Sequence, residues 1–252
     1  MVALPHSLFS LRSTLGGGNP SLFLGVYMSD VKYFSRGPIN PVAGVRAAVF
    51  KAKYYRANPT YFDPDGIWVF TGPQGSGKTL SCVHTAIQMA DYYPRALVCS
   101  NIEIHGYENR FIPFESYDQL SALDNGIEGV IFILDELHIL WNSLESKNIP
   151  FSEMATFCQM RKARRIILGT SQVYGRIAKP IREQLKYCFI CQNFFGVLQH
   201  NTILDPSCSE EKDGHVSAPI IGQNWFFHTP EMYESYETLS KVRRIDRGAS
   251  SR

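Results

Sequence analysis

The residues best placed to do chemistry are eight in a row: Gly72, Pro73, Gln74, Gly75, Ser76, Gly77, Lys78 and Thr79. They match the pattern G-x-x-x-x-G-K-[ST] at every fixed position. Glycines let a backbone wrap closely around an anion with its N–H groups turned inward. A lysine in this place reaches the β- and γ-phosphates of a nucleoside triphosphate, and the hydroxyl after it ligates Mg2+. Leu80 completes the stretch expected against the nucleotide. Further along, Asp135 and Glu136 follow an apolar run. An Asp in that place anchors Mg2+, directly or through water, and an adjacent Glu orients and deprotonates the attacking water.

These residues need strands and a helix to hold them. The pattern predicts a short buried strand over 67–71, bounded by Asp65-Gly66 and Gly72-Pro73. Thr79 to Tyr93 reads as a helix, with Leu80, Val83, Ala86, Ile87 and Ala90 at helical spacing. Its positive N-terminal end would face the same anion. A second strand is expected over 96–100. Val130 to Leu134 are all apolar and rich in branched side chains, which predicts a strand buried on both faces. Ser152 can cap a helix running to about Arg164. A further strand over 165–172 ends in Thr170, Ser171 and Gln172. Gln172, or Thr170, can sense the γ-phosphate or hold the water; Thr170 or Ser171 can equally cap a helix.

Composition bounds the rest. With 252 residues, 44% hydrophobic and 19% charged, the chain can bury a sizeable core. A net charge of +2 is too small to argue for a nucleic-acid partner by itself. No 18-residue uncharged apolar run is visible, and no basic segment leads into an apolar one at the start, so neither a transmembrane helix nor a signal peptide is expected. The six cysteines have no secreted-domain spacing, which points to free thiols in the cytoplasm. Cys188 and Cys191 make one C-x-x-C, with His200 and Cys208 downstream. Residues three apart on a strand face opposite sides, so buried thiols are expected there rather than zinc.

Charge is uneven. Residues 1–66 hold seven Lys/Arg against three Asp/Glu, and a helix over 42–56 is made basic by Arg46, Lys51, Lys53 and Arg56. Residues 156–186 hold eight Lys/Arg against Glu183 alone. Part of that cluster suits a helix C-terminus. The remainder is a solvated strip, a contact to a phosphate backbone, or the source of an arginine finger acting on a neighbouring subunit's nucleotide, with Arg161 and Arg164 the candidates.

The order TGPQGSGKT at 71–79, ILDE at 133–136, QMRK at 159–162, GTSQ at 169–172 and PIREQ at 180–184 resembles the zonular-occludens-toxin-like virion-assembly ATPases of filamentous phages. More broadly it resembles the FtsK–HerA superfamily of DNA-pumping ATPases, which includes viral genome-packaging ATPases. The resemblance covers about residues 66–193. It implies a catalytic-glutamate (ASCE-type) phosphate-loop fold, a ring with ATP and Mg2+ between subunits, Asp135 and Glu136 in the acidic strand, and Gln172 at the next strand's tip. The toxin-like family has an Arg-His pair where Arg161-Lys162 stand, and a transmembrane helix after the ATPase domain that is not seen here. That difference favours a soluble motor, or one recruited to a membrane or capsid by a partner.

The resulting expectation is an α/β phosphate-loop NTPase core over 66–193, with a mostly parallel sheet flanked by helices. A basic, aromatic arm over 1–65 precedes it. A small β-rich appendage and helix over 194–242 follow, then a basic tail over 243–252. The expected activity is ATP hydrolysis coupled to DNA translocation in packaging or virion assembly, in a homo-oligomeric ring. A nucleotide-gated scaffold or a phosphate-loop kinase, with 176–186 as its lid, are the alternatives.

Overall fold

Alternation of short apolar strands with helices sets the architecture. A computed structural model describes residues 41–208, 210–212 and 215–237. In chain order the elements are α1 (Pro41–Ala57), β1 (Gly66–Thr71), α2 (Lys78–Tyr92), β2 (Leu97–Ser100), β3 (Phe111–Pro113), α3 (Gln119–Ala122), β4 (Val130–Leu134), α4 (Leu137–Leu140), α5 (Phe151–Cys158), β5 (Arg165–Ser171), α6 (Lys179–Arg182), β6 (Leu185–Phe194), β7 (Leu198–Leu204), β8 (Glu210–Lys212), β9 (His215–Ser217), β10 (Ile220–Phe227) and α7 (Pro230–Glu234). The chain divides into two compact units, residues 1–53 and 54–252. The described part of the first is the beginning of α1. The expectations for residues 1–40 and 243–252 lie outside the described residues.

Eight strands form one sheet in the order β10-β7-β6-β1-β5-β4-β2-β3, and β8 and β9 pair separately. From β6 to β3 every neighbouring pair is parallel, whereas β7 and β10 add to the β6 side antiparallel. The segment expected as an appendage therefore extends the central sheet. β5 stands between β1 and β4, and β2 lies beyond β4.

Every residue of β4 and β5 is buried, as strands covered on both faces must be. One face packs under α2 through Leu80, Val83, Ala86 and Ala90, joined by Phe62 and Phe70. The other packs against Leu120, Leu140, Trp141, Phe157 and Ile181. Cys188 belongs to the second cluster and Cys191 to the first, so the two thiols sit on opposite faces of β6. Burial pushes both up to about 12, which keeps them protonated.

Two expectations shift. The helix after Ser152 begins one residue earlier and stops at Cys158, well before Arg164. Arg164 instead takes a left-handed backbone, φ 54°, and lays its guanidinium 3.9 Å over the Tyr61 ring. Residues 161–165 are thus not a helix C-terminus, whereas Lys179 and Arg182 do lie in the last turn of α6. Residues 105–115, without pattern in the sequence, include the three-residue β3.

The turn into β4 depends on Gly129. Its φ is 74°, and a Cβ there would lie 2.3 Å from Phe62 Cγ, whose residue is fully buried. Gly129→Ala combines backbone strain with overpacking and is expected to destabilise the fold by about 2–4 kcal/mol. Urea unfolding of the variant beside the parent measures this.

Candidate active site

The carboxyl ends of the parallel strands share one edge, and the chemistry collects there. Thr71 pairs with Ser171 at the ends of β1 and β5. The loop Gly72–Gly77 therefore leaves the sheet beside Gln172. Gly75 and Gly77 both have φ 78°, the left-handed region that only glycine enters freely. Gly77 occupies the N-cap position of α2 and has no side chain to cap it, so the first N–H groups of the helix stay open to an anion. Pro73, Gln74 and Gly75 crown the loop in solvent. Ser76 turns inward and is 6% exposed, its Oγ unpartnered among the described residues. Leu80 sends its side chain into the core, so any contact with a phosphate falls to its backbone.

Lys78 is 7% exposed, and its Nζ donates to Pro73 O at 3.0 Å. It has no ion pair among the described residues. A buried ammonium held by a loop carbonyl is costly alone and favours an incoming anion.

Asp135 is the meeting point. Its Oδ1 accepts from Thr79 Oγ1 at 3.0 Å and from Thr170 Oγ1 at 2.6 Å. Thr170 Oγ1 in turn accepts from Glu136 N–H at 2.9 Å. Asn101, at the tip of β2, holds the Asp135 backbone from both sides: its Nδ2 donates to Asp135 O at 3.0 Å, and Asp135 N–H donates to its Oδ1 at 2.8 Å. Burial raises the Asp135 pKa, and the two threonine hydroxyls pull against that rise. The hydroxyl of Thr79 and the carboxylate of Asp135 are hard oxygen donors of the kind Mg2+ takes, and they already meet.

Glu136 stands in a left-handed conformation, φ 57° and ψ 55°. Such strain in a non-glycine residue is kept only where its surroundings impose it. Here Thr170 holds its N–H, and Leu137 behind it fills the space that Gly169 leaves open: a Cβ on Gly169 would lie 2.4 Å from Leu137 Cγ. One oxygen of the Glu136 carboxylate is hydrogen-bonded, and the other, Oε2, is buried without a hydrogen bond among the described residues. Gln172 Nε2 donates to Oε1 at 3.2 Å, and His138 Nδ1 lies 3.1 Å from Oε2.

Lys78, Thr79, Asp135, Glu136 and Gln172 are thus brought together, as are the glycines of the loop. Arg161 and Arg164 are not. They precede β5, at the amino edge of the sheet, about 20 Å of strand away. Arg161 Nε lies 3.9 Å from Asp65, just before β1. Asn101 and His138 were not singled out from the sequence. Each is a lone polar residue beyond a strand end; Asn101 meets Asp135 through the return of the chain in space, and His138 meets Glu136 two residues before it across the strained turn.

No protein-family model matches the sequence, and no curated protein matches it. Among solved structures, the chain is similar to the N-terminal domain of zonular occludens toxin from Neisseria meningitidis, with 16% identity and a TM-score of 0.47 over 68% of this chain and 98% of that one. It is similar to the genome packaging NTPase of Sulfolobus turreted icosahedral virus 2 in complex with ATP-gammaS, with 12% identity and a TM-score of 0.46 over 61% and 96%. A solved ATPase domain gives 11% identity and a TM-score of 0.48 over 78% and 98%.

Because the folded state raises the Asp135 pKa, its protonated form is the one the fold favours. That contribution is present at acid pH and lost as pH rises through the folded value. Asp135→Asn is therefore expected to raise the thermal midpoint of the nucleotide-free protein at neutral pH. The gain should fade as pH falls towards the ordinary carboxylate value of 3.8, and calorimetry across that range checks it.

Proposed function

We propose that the chain is an ATPase that couples hydrolysis to DNA translocation, in genome packaging or virion assembly, as a homo-oligomeric ring. The observation that carries the ATPase reading is the hydrogen bond from Thr79 to Asp135, which joins the phosphate loop to the acidic strand across 56 residues. A glycine-rich loop by itself binds anions. A loop whose hydroxyl meets a carboxylate, with a second, strained carboxylate beside it, is arranged for phosphoryl transfer to water.

In this reading Gly72 to Leu80 and Lys78 hold the triphosphate, and Thr79 and Asp135 hold Mg2+. When bound, the metal neutralises charge on the β- and γ-phosphates. Glu136 takes the proton of the attacking water, and Gln172, which grips Glu136, reads the γ-phosphate and sets the Glu136 carboxylate for the step. Such catalysis is largely positioning and charge stabilisation. The side chain of Arg161, 87% exposed, is the better candidate to reach a neighbouring subunit's nucleotide, since Arg164 is stacked on Tyr61.

The DNA track, the ring and a capsid or membrane-protein partner come from the family resemblance, and genome packaging is also what one similar solved NTPase is described as doing. No described helix is long and apolar enough to cross a membrane. A cytoplasmic protein, peripheral to a membrane or virion, fits the proposal. The kinase alternative loses its lid: Ile177, Ala178 and Ile181 are fully buried, which anchors the basic segment to the core.

Steady-state ATP hydrolysis with and without single- and double-stranded DNA, with Lys78→Ala as the blank, tests the reading. Glu136→Gln is expected to bind ATP and to lose at least about 100-fold in turnover. An unchanged rate would remove Glu136 from its role. Indifference to both DNA forms would favour a protein-activated assembly ATPase.

A further inference from the structure

Beneath the phosphate loop runs a line of polar side chains that hydrolysis does not use. β7 supplies Gln199 and Asn201, both fully buried. Gln199 Nε2 donates to Ser76 O in the loop at 3.0 Å and to Asn201 Oδ1 at 3.0 Å. Asn201 Oδ1 also accepts from Ser81 Oγ of α2 at 3.1 Å. With both its amide protons engaged, Gln199 must accept at Oε1, and His228 Nε2 lies 3.3 Å from it. His228 follows β10, and its Nδ1 is 2.5 Å from Tyr233 OH on α7. A neutral ring that carries its proton on Nε2 meets Gln199 Oε1; burial lowers the His228 pKa, against a hydrogen bond to the Gly196 backbone that raises it. Tyr233 OH also donates to Gly196 O at 3.2 Å, so a line of contacts, with no single direction of donation, links Tyr233 through His228 and Gln199 to the loop.

Two further details tie the line to the loop. A Cβ on Gly77 would lie 2.1 Å from Gln199 Oε1, so the amide excludes a side chain at Gly77 as firmly as the backbone does. Asn201, which Gln199 grips, leaves its own Nδ2 buried and unpartnered among the described residues, so its Oδ1 is the end of it that the network engages.

A trans peptide is planar, with C=O and N–H pointing opposite ways. Holding Ser76 C=O beneath the loop therefore turns the N–H of Gly77 away from Gln199, into the anion cradle. We propose that Gln199 is a positioning residue for the phosphate loop, and that His228 and Tyr233 connect it to β10 and α7. Its consequence for catalysis rests on the ATPase reading; its consequence for the loop does not.

Gln199→Met keeps length and volume and removes the donor. In hydrogen exchange on the full nucleotide-free chain, amides of residues 74–79 are expected to exchange several-fold faster. Tyr233→Phe, at a half-exposed position on α7, should produce a smaller acceleration in the same segment. In titrations with a fluorescent ATP analogue, Gln199→Met should bind about tenfold more weakly, with KM for ATP rising more than kcat falls. Unchanged loop exchange in a folded Gln199→Met overturns the proposal. So does acceleration spread equally over β6, β7 and α2, which marks a merely structural role. If Gln199→Met does not fold, Tyr233→Phe decides: an unaltered loop overturns the proposal. Faster loop exchange in a chain whose parent binds no nucleotide leaves the positioning role standing and removes the ATPase reading instead.

Discussion

One oxygen organises the site. Asp135 Oδ1 accepts from Thr79 and from Thr170, and so ties the end of β4 to the start of α2 and the tip of β5. A parallel sheet makes this possible, because it delivers every strand's carboxyl end to the same edge. The insertion of β5 between β1 and β4 makes it specific: Thr170 reaches Asp135 and supports Glu136 with one hydroxyl. A half-enclosed carboxylate is costly, and its raised pKa records that cost. The fold accepts an unfavourable group where function needs one, and a divalent cation would offset it under the proposed reading.

The parts legible in the sequence are those whose signal is local. The phosphate loop is a contiguous motif. β1, β4 and β5 are short apolar runs bounded by glycine or charge, and α2 shows helical spacing. Asn101, His138 and Gln199 carry no such signal. Asn101 and Gln199 acquire their roles from partners distant in the chain, Asp135 and Ser76, and His138 meets Glu136 only because of the left-handed turn between them. The end of α5 was misjudged because the polar, helix-compatible run through Arg164 continues past Cys158. A tertiary contact outweighs that propensity, since Arg164 stacks on Tyr61 only from a left-handed backbone. Likewise the alternation in 198–204 and 220–227 announces strands, but it cannot say that they extend the central sheet instead of forming their own.

That extension matters physically. A phosphate loop is an exposed turn rich in glycine, which loses much backbone entropy on ordering. Here its underside rests on β6 and β7 rather than on solvent. A Cβ on Gly72 would lie 2.8 Å from Cys191 O of β6 and 2.7 Å from Ser76 Oγ, and one on Gly77 would meet Gln199 of β7. The glycines are therefore needed twice, for their backbone angles and for the close approach of β6 and β7. The crown of the loop stays open while its base is confined, which is the form of preorganisation that an anion site requires.

The polarity of the molecule bears on assembly. The phosphate loop, Asp135 and Glu136 occupy the carboxyl edge of the sheet, while Arg161 and Arg164 stand at the amino edge. A two-fold dimer repeats every cross-interface contact once in each copy and closes at two subunits. A head-to-tail contact pairs unlike edges, and if its rotation closes, it makes a ring. Under the proposed function, such a contact lets an arginine of each copy serve the triphosphate of the next around the ring. An exposed Arg161 with only a long, 3.9 Å contact to Asp65 is held loosely enough to be recruited that way. The separation of Arg161 from its own active site is then the condition for acting in a neighbour's.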